Sequence, residues 1–540
     1  MHNYFCLTNY YIRKNMNRKH YVLTLLLAFV CAASYAQPKN WFNLDLEKDS
    51  IFGVSTERAY DLLKGRESKT VIVAVIDDGI DYKHEDLKDV IWINAKEIPG
   101  NGVDDDKNGY VDDIHGWNFI GGSEGNVKDD TYEVTRLYAQ FSAKYDGANP
   151  DTLKKAEKKE YEHYINEVKP AFLEKYYEAA SNYFRYTKLV TAIDNIVEAM
   201  DGKEINAENL KKYQPKDFDE KFALLNMIRF VGFGMTVDDI KEQLAGAIDH
   251  FKENIDVSFN TTHNARSVVG DNYQDATERF YGNNDYRGPN GDHGTHVAGI
   301  IAAMRNNDIG IKGVADNVKI MVIRVVPNGD ERDKDVANGI RYAVDNGATI
   351  VNMSFGKAFT SNKEVVDEAI KYAASKDVLL VHAAGNDAKN TDIENNFPTD
   401  AFDKGGKAKN WLEIGACSWT NDAGLTAEFS NYGKKNVDVF SPGVQIESTI
   451  PDDKYAAFNG TSMASPVTAG VCALIRSYFP TLTAEQVKDI IMKSATPVTM
   501  KVTMPGTDKE VKMKDLCVSG GVVNAYKAVE LAMKTKGKKK

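Results

Sequence analysis

The first long apolar run after the N-terminal region is Val71-Ile72-Val73-Ala74-Val75-Ile76, unbroken by any polar residue. A β-branched run without alternation predicts a strand covered on both faces, as in a parallel sheet. Similar runs predict strands at Lys319–Val325, Thr349–Met353, Val378–Ala383, Glu413–Cys417 and Val437–Phe440. Apolar residues at helical spacing fall between them, at 333–346 and 363–375, and before the first strand at Thr56–Leu63. Strand and helix in alternation predict an α/β fold, a mostly parallel sheet with helices on both faces.

From about 120 to 285 the pattern changes. Val134, Leu137, Tyr138 and Phe141 recur at helical spacing, as do Ile240, Leu244, Ile248 and Phe251, with breaks at 147–150, Gly202 and Pro215. These stripes read as packing faces of an inserted all-α subdomain. Residues 270–291 are polar and rich in Gly and Asn, and predict a surface loop leading back to the main domain. The layout is then 1–36, 37–119, the insertion 120–285, the resumed domain 286–530 and a basic tail 531–540.

The first segment carries its own signature. Arg18-Lys19-His20 precedes an apolar run from Tyr21 to Ala33 and then Ser34-Tyr35-Ala36. A charged start, a short apolar centre and a small-x-small site predict an export signal cleaved after Ala36, with Met16 as an alternative start. The run is short for a membrane span, and a lipid anchor at Cys31 is the weaker reading because Ala28-Phe29-Val30 suits it poorly. The mature chain is expected outside the cytoplasm, with no membrane span.

Charge and cysteines narrow the partners. The net charge of −11 argues against nucleic acid. Of five cysteines, Cys417, Cys472 and Cys517 survive cleavage, widely spaced, which makes neither a disulfide framework nor a zinc pattern.

Chemistry concentrates at predicted strand ends and helix starts. Ser462, in Gly460-Thr-Ser-Met-Ala-Ser-Pro466, opens an apolar helix, where outward N–H groups favour negative charge. Taken alone, it reads more simply as a helix cap. Asp77 ends the first strand, and His293 opens another helix in His293-Gly-Thr-His-Val-Ala-Gly299. A serine needs a base, the base needs an orienting carboxylate, and the oxyanion needs a donor. Asn386, in Ala383-Ala-Gly-Asn386, ends a strand with such a donor. A separate loop alternates oxygens at Asp104, Asp106 and Asn108, turns at Gly109 and adds Asp112 and Asp113, a donor set that suits Ca2+ although no Glu stands at the twelfth position.

In combination, Ile76-Asp-Asp-Gly79 and the three motifs above resemble the subtilisin-like serine peptidases, over about 70–119 and 286–530. The order Asp, His, Ser matches that family. The resemblance implies a subtilisin-like fold and hydrolysis of protein or peptide substrates. Ser462 would be the nucleophile, His293 the base, Asp77 its partner and Asn386 the oxyanion donor. It also implies that Ser354-Phe355-Gly356 pairs with extended substrate, that Asn396 floors the pocket for the residue before the scissile bond, and that His296 is structural. Asp78 stands where many members have Ser or Thr, although the kexin-like branch shares Asp-Asp-Gly. Only about 34 residues separate Ala36 from the first strand, fewer than the folding prodomain of many members needs. The insertion is unusual, and its place between Asp77 and His293 suggests a cap on the cleft. A catalytically silent protein of the same fold, binding through cleft or insertion, is the competing reading.

Overall fold

The computed structural model describes residues 38–538. The expected export signal, Cys31 and the last two lysines lie outside the described residues. At the centre is a nine-stranded sheet. Its strands in chain order are β1 (Val71–Asp77), β2 (Gly116–Asn118), β3 (Val318–Arg324), β4 (Ile350–Met353), β5 (Leu379–Ala383), β6 (Trp411–Cys417), β7 (Val439–Pro442), β8 (Thr496–Pro497) and β9 (Gly521–Val522). The spatial order is β8-β9-β7-β6-β5-β4-β1-β3-β2, with every pairing parallel except β8 with β9.

The unbroken apolar run follows from this position. In β1, Val71, Val73 and Val75 face a core built on the helices Asp292–Ala302 and Thr461–Tyr478. Ala74 and Ile76 face the opposite core, under the helices Asp333–Asp345 and Lys363–Ser375. Both faces are dry, so neither tolerates a polar residue. The lead-in belongs to the same body: Trp41 and Phe42 are 1% and 0% exposed in the first core, and the Trp41 indole donates to the Val444 carbonyl at 3.2 Å.

Short elements escape the sequence pattern. β2 has only three residues, too few to show a period. The antiparallel pair Ile446–Ile450 and Lys454–Phe458 is held partly through side chains, with Ser448 and Thr449 hydroxyls donating to the carbonyls of His296 and Thr295.

The insertion contains helices Glu133–Tyr145, Lys155–His163, Lys169–Ala199, Phe218–Gly232 and Val237–Glu253. It has two cores of its own. The near core joins Val134, Leu137 and Phe141 to Phe172 and Phe259, with Phe359 of the main domain packed against it. The far core gathers Leu189, Ile193, Ile196, Met227 and Ile240. Entry and exit meet where Tyr132 N–H donates to the Ser258 carbonyl at 3.0 Å. The return segment is less superficial than its polarity predicts: Tyr281 and Tyr286 are 8% and 6% exposed. Each ring buries because its hydroxyl finds an acceptor, Asp335 at 2.7 Å and the Asp112 carbonyl at 2.9 Å.

Candidate active site

β1 delivers Asp77, 2% exposed, to its C-terminal end, where an open parallel sheet places its crevice. His293 stands in the first turn of the helix Asp292–Ala302. Its Nδ1 lies 2.7 Å from Asp77 Oδ1. Gly294 is what permits the approach, since a Cβ there would fall 2.2 Å from the Gly79 carbonyl. The next residue of β1's exit loop fixes the helix: Asp78 accepts from Gly294 N–H at 2.8 Å and from His293 N–H at 3.4 Å. Burial and the Asp77 charge push the Asp78 carboxyl up to about 7. For His293, burial works against the charged ring, but the Asp77 carboxylate outweighs it and holds the pKa up at about 9. His296 is buried, bonded to the Ala456 carbonyl at 3.0 Å and stacked on Phe458, and burial lowers its pKa to about 3. It stays neutral.

Ser462 begins the helix Thr461–Tyr478. Its hydroxyl donates to the Ser354 carbonyl at 3.0 Å, while the Ser354 hydroxyl donates back to the Ser462 carbonyl at 2.9 Å. Asn352 and Ser465 extend this lock between β4 and the helix. Asn386 has its Oδ1 pinned by the N–H and hydroxyl of Thr461, at 2.8 and 3.0 Å. That fixes which way its amide NH2 faces. Gly460 has φ of 155°, and a Cβ built on it would sit 3.5 Å from Ser462 N and 3.6 Å from Asn386 Nδ2. The missing side chain leaves a hollow flanked by two N–H donors beside a serine hydroxyl, the requirement for holding an oxyanion.

With that geometry in hand, comparison with known proteins is decisive. The subtilase family model matches residues 68–516. The chain is a subtilase. It is 39% identical over 207 residues to subtilisin of Bacillus pumilus, covering 38% of this chain and 70% of that one. Subtilisin E of Bacillus subtilis (strain 168) is also 39% identical over 207 residues, covering 38% of this chain and 50% of that one. The thermophilic serine proteinase of Bacillus sp. (strain AK1) is 41% identical over 186 residues, 34% of this chain and 42% of that one. The matched stretch thus spans half the length or less of two of these relatives. A solved structure of the prenylagaramide maturation protease PagA gives a TM-score of 0.37 at 26% identity, covering 45% of this chain and 83% of that one.

Around this core the subtilase arranges the other expected residues. Phe355 and Gly356 follow β4, and neither makes a backbone–backbone hydrogen bond among the described residues. Lys357 instead pairs with Phe397 in an antiparallel bridge. Asn396 donates to the Ala383 carbonyl at 3.1 Å and lies so close to Gly356 that a Cβ there would meet its amide at 2.5 Å.

The acidic loop departs from expectation. Ligand oxygens of Glu97, Asp104 and Asp106 lie within 4.8 Å of one another. Asp112 is turned away, its oxygens accepting from Gly100 and Gly102 N–H at 2.8 and 2.9 Å. Asp113 is buried and accepts from Asn94, Asn108 and Tyr342, and burial pushes it up to about 6. Asn108 uses its Oδ1 on Tyr110 N–H. So Asp104 and Asp106 converge with Glu97, all three also accepting N–H groups of the loop, and Asn108, Asp112 and Asp113 brace it further. Glu97 lies seven residues upstream of the alternating stretch, and no local spacing signals it. Thr461 and Asp78 were likewise invisible as functional residues, because their roles exist only across distant elements.

Proposed function

We propose that this subtilase is a serine endopeptidase acting outside the cytoplasm, with Ser462 as nucleophile, His293 as acid and base and Asp77 as its orienting partner. The observation that carries this reading is the 2.7 Å contact between Asp77 and His293 at the end of β1. At rest the Ser462 hydroxyl donates to Ser354, and reaction requires it to turn to His293 Nε2. Nε2 takes the proton as Oγ attacks the scissile carbonyl, while Asp77 holds Nδ1–H and stabilises the imidazolium. The oxyanion is received by Ser462 N–H and Asn386 Nδ2. The C–N bond breaks as Nε2 returns the proton to the leaving amine. Water then attacks the acyl-enzyme by the same route. Extended substrate pairs with the free backbone at Phe355 and Gly356, with Asn396 below its side chain.

Labelling of the purified chain by a fluorophosphonate, with Ser462→Ala as control, tests the reading. Wild-type labelling alone supports it. Absence of labelling on folded protein favours a silent binding protein of the same fold.

Three further assignments belong to this proposal. Residues 1–36 direct export, so the N-terminus of secreted protein is expected at Gln37. Residues 37–119 and 286–530 form the catalytic domain around the insertion 120–285, with 531–540 as a tail. The donor chemistry of Glu97, Asp104 and Asp106 fits calcium: three carboxylates converge, and the nearest cation, Lys96 at 3.8 Å from Asp106, is 78% exposed. Bound there, the ion would supply loop stability and no catalytic step.

A further inference from the structure

Beside the site is a cavity of about 600 Å³. One wall is the main domain, with Gly356, Phe359, Asp387 and Asn396; the other is the insertion, with Glu174 and Phe251. It is continuous with the cleft, because Gly356 and Asn396 line both and Asp387 directly follows Asn386. The insertion wall is fixed to the segment that follows β4. Lys357 is 4% exposed and reaches Glu133 of the insertion at 3.0 Å and Asp333 at 2.8 Å. Phe359 packs into the near core.

The lining has two kinds of group. Tyr132, Phe251, Phe259 and Phe359 offer aromatic surface. Among the other lining groups the carboxylates outnumber the cations left unpaired. Lys175 pairs with Glu178 at 3.1 Å, Lys389 with Glu394 at 3.2 Å, and Lys357 is neutralised below the surface. Glu174 and Asp387 have no cationic partner among the described residues, and both are exposed toward solvent. Aromatic surface together with unpaired carboxylates suits one kind of side chain, an aliphatic stem with a cationic head. A purely apolar side chain would leave the carboxylates unused, and an acidic one would be repelled.

We propose that this cavity is a substrate subsite for a lysine or arginine side chain on the acyl side of the scissile bond, with its outer wall built by the insertion and its charge read by Glu174. The proposal rests on the peptidase reading for its occupant, an extended peptide. It makes the insertion a part of the recognition site and Glu174 a specificity residue.

Binding to the Ser462→Ala chain tests this without turnover. Fluorescent extended peptides carry lysine, or its uncharged isostere norleucine, at successive positions. Lysine is expected to bind about tenfold tighter at one acyl-side position, an advantage that fades with salt. Glu174→Gln should remove most of it, and Glu174→Lys should reverse it. The exposed position of Glu174 makes both substitutions compatible with folding. Equal binding of lysine and norleucine at every position overturns the proposal. So does an advantage that neither substitution moves, and so does binding of no peptide at all. Loss of fluorophosphonate labelling in wild type with the lysine preference intact would overturn the peptidase reading and leave the subsite standing; labelling without the preference would do the reverse.

Discussion

At His293 two effects oppose each other, and the larger sets the enzyme's pH response. Burial lowers the imidazole pKa, and the Asp77 carboxylate raises it to about 9. A general base works only unprotonated. The ascending limb of kcat/KM is therefore expected well above the ordinary histidine value of about 6.5. The stability sign is opposite: a raised histidine pKa stabilises the fold fully below about 6.5 and ceases to do so as pH climbs through about 9. Asp77→Asn should shift the limb toward lower pH and reduce kcat by about 10⁴, by loss of the oriented tautomer; a limb that stays in place would mean that another group sets it. Asn386→Ala should lower kcat by about 10²–10³ and leave KM close to wild type, since the amide meets charge only in the transition state. Steady-state kinetics read both. Asp77, His293, Ser462 and Asn386, the residues of the proposed site, could be singled out because each sits in a short motif whose residues are contiguous. Thr461, which aims Asn386, was printed in the same motif, yet its work crosses 75 residues of chain.

Between elements, the decisive contacts are ionic. Glu133 opens the first insertion helix and meets Lys357, the residue after Gly356, with both side chains at most 1% exposed. Removing one partner of a buried pair costs about 3–5 kcal/mol; Asp333 remains to share the ammonium, so Glu133→Ala should cost about 3 kcal/mol in urea unfolding. It should also raise KM for peptides, because the segment at Gly356 loses its brace. The acidic loop makes a parallel prediction. Calcium at a hundredfold excess over its Kd should stabilise the fold by about 2.7 kcal/mol, seen as a higher Tm that chelator removes and Asp104→Asn abolishes. An unchanged Tm would show that the loop's own hydrogen bonds suffice. The strands and flanking helices could be read from periodicity because packing on two faces demands it. β2 and the hairpin Ile446–Phe458 could not, since three residues show no period and the hairpin leans on side-chain bonds to the His293 helix.

For the molecule as a whole, the question is how much of the insertion the cleft uses. Its near core carries Val134, Phe172 and Phe259 and continues into Phe359; its far core, from Leu189 to Ile240, shares no residue with the cavity lining. The long helix Lys169–Ala199 and the helix Val237–Glu253 connect the two, with Tyr186 and Phe251 stacked where the near part ends, ring centroids 5.8 Å apart. Helical spacing predicted helices between 120 and 285, but a single apolar stripe cannot say that this segment has two separate cores or which one meets the cleft. Separate cores imply separable roles. Replacing residues 189–247 by a short turn removes the buried residues of the far core and leaves Glu174, Phe251 and the Glu133–Lys357 tie in place. The shortened chain is expected to be labelled by fluorophosphonate as wild type is, and to keep kcat/KM on short peptides within about threefold, less than the tenfold that 1.4 kcal/mol would produce. Its lysine-to-norleucine preference should be unchanged. A folded chain that labels normally but loses that preference would mean that the far core holds the Glu174 helix against the cleft from a distance, and that the insertion reads substrate as one rigid body.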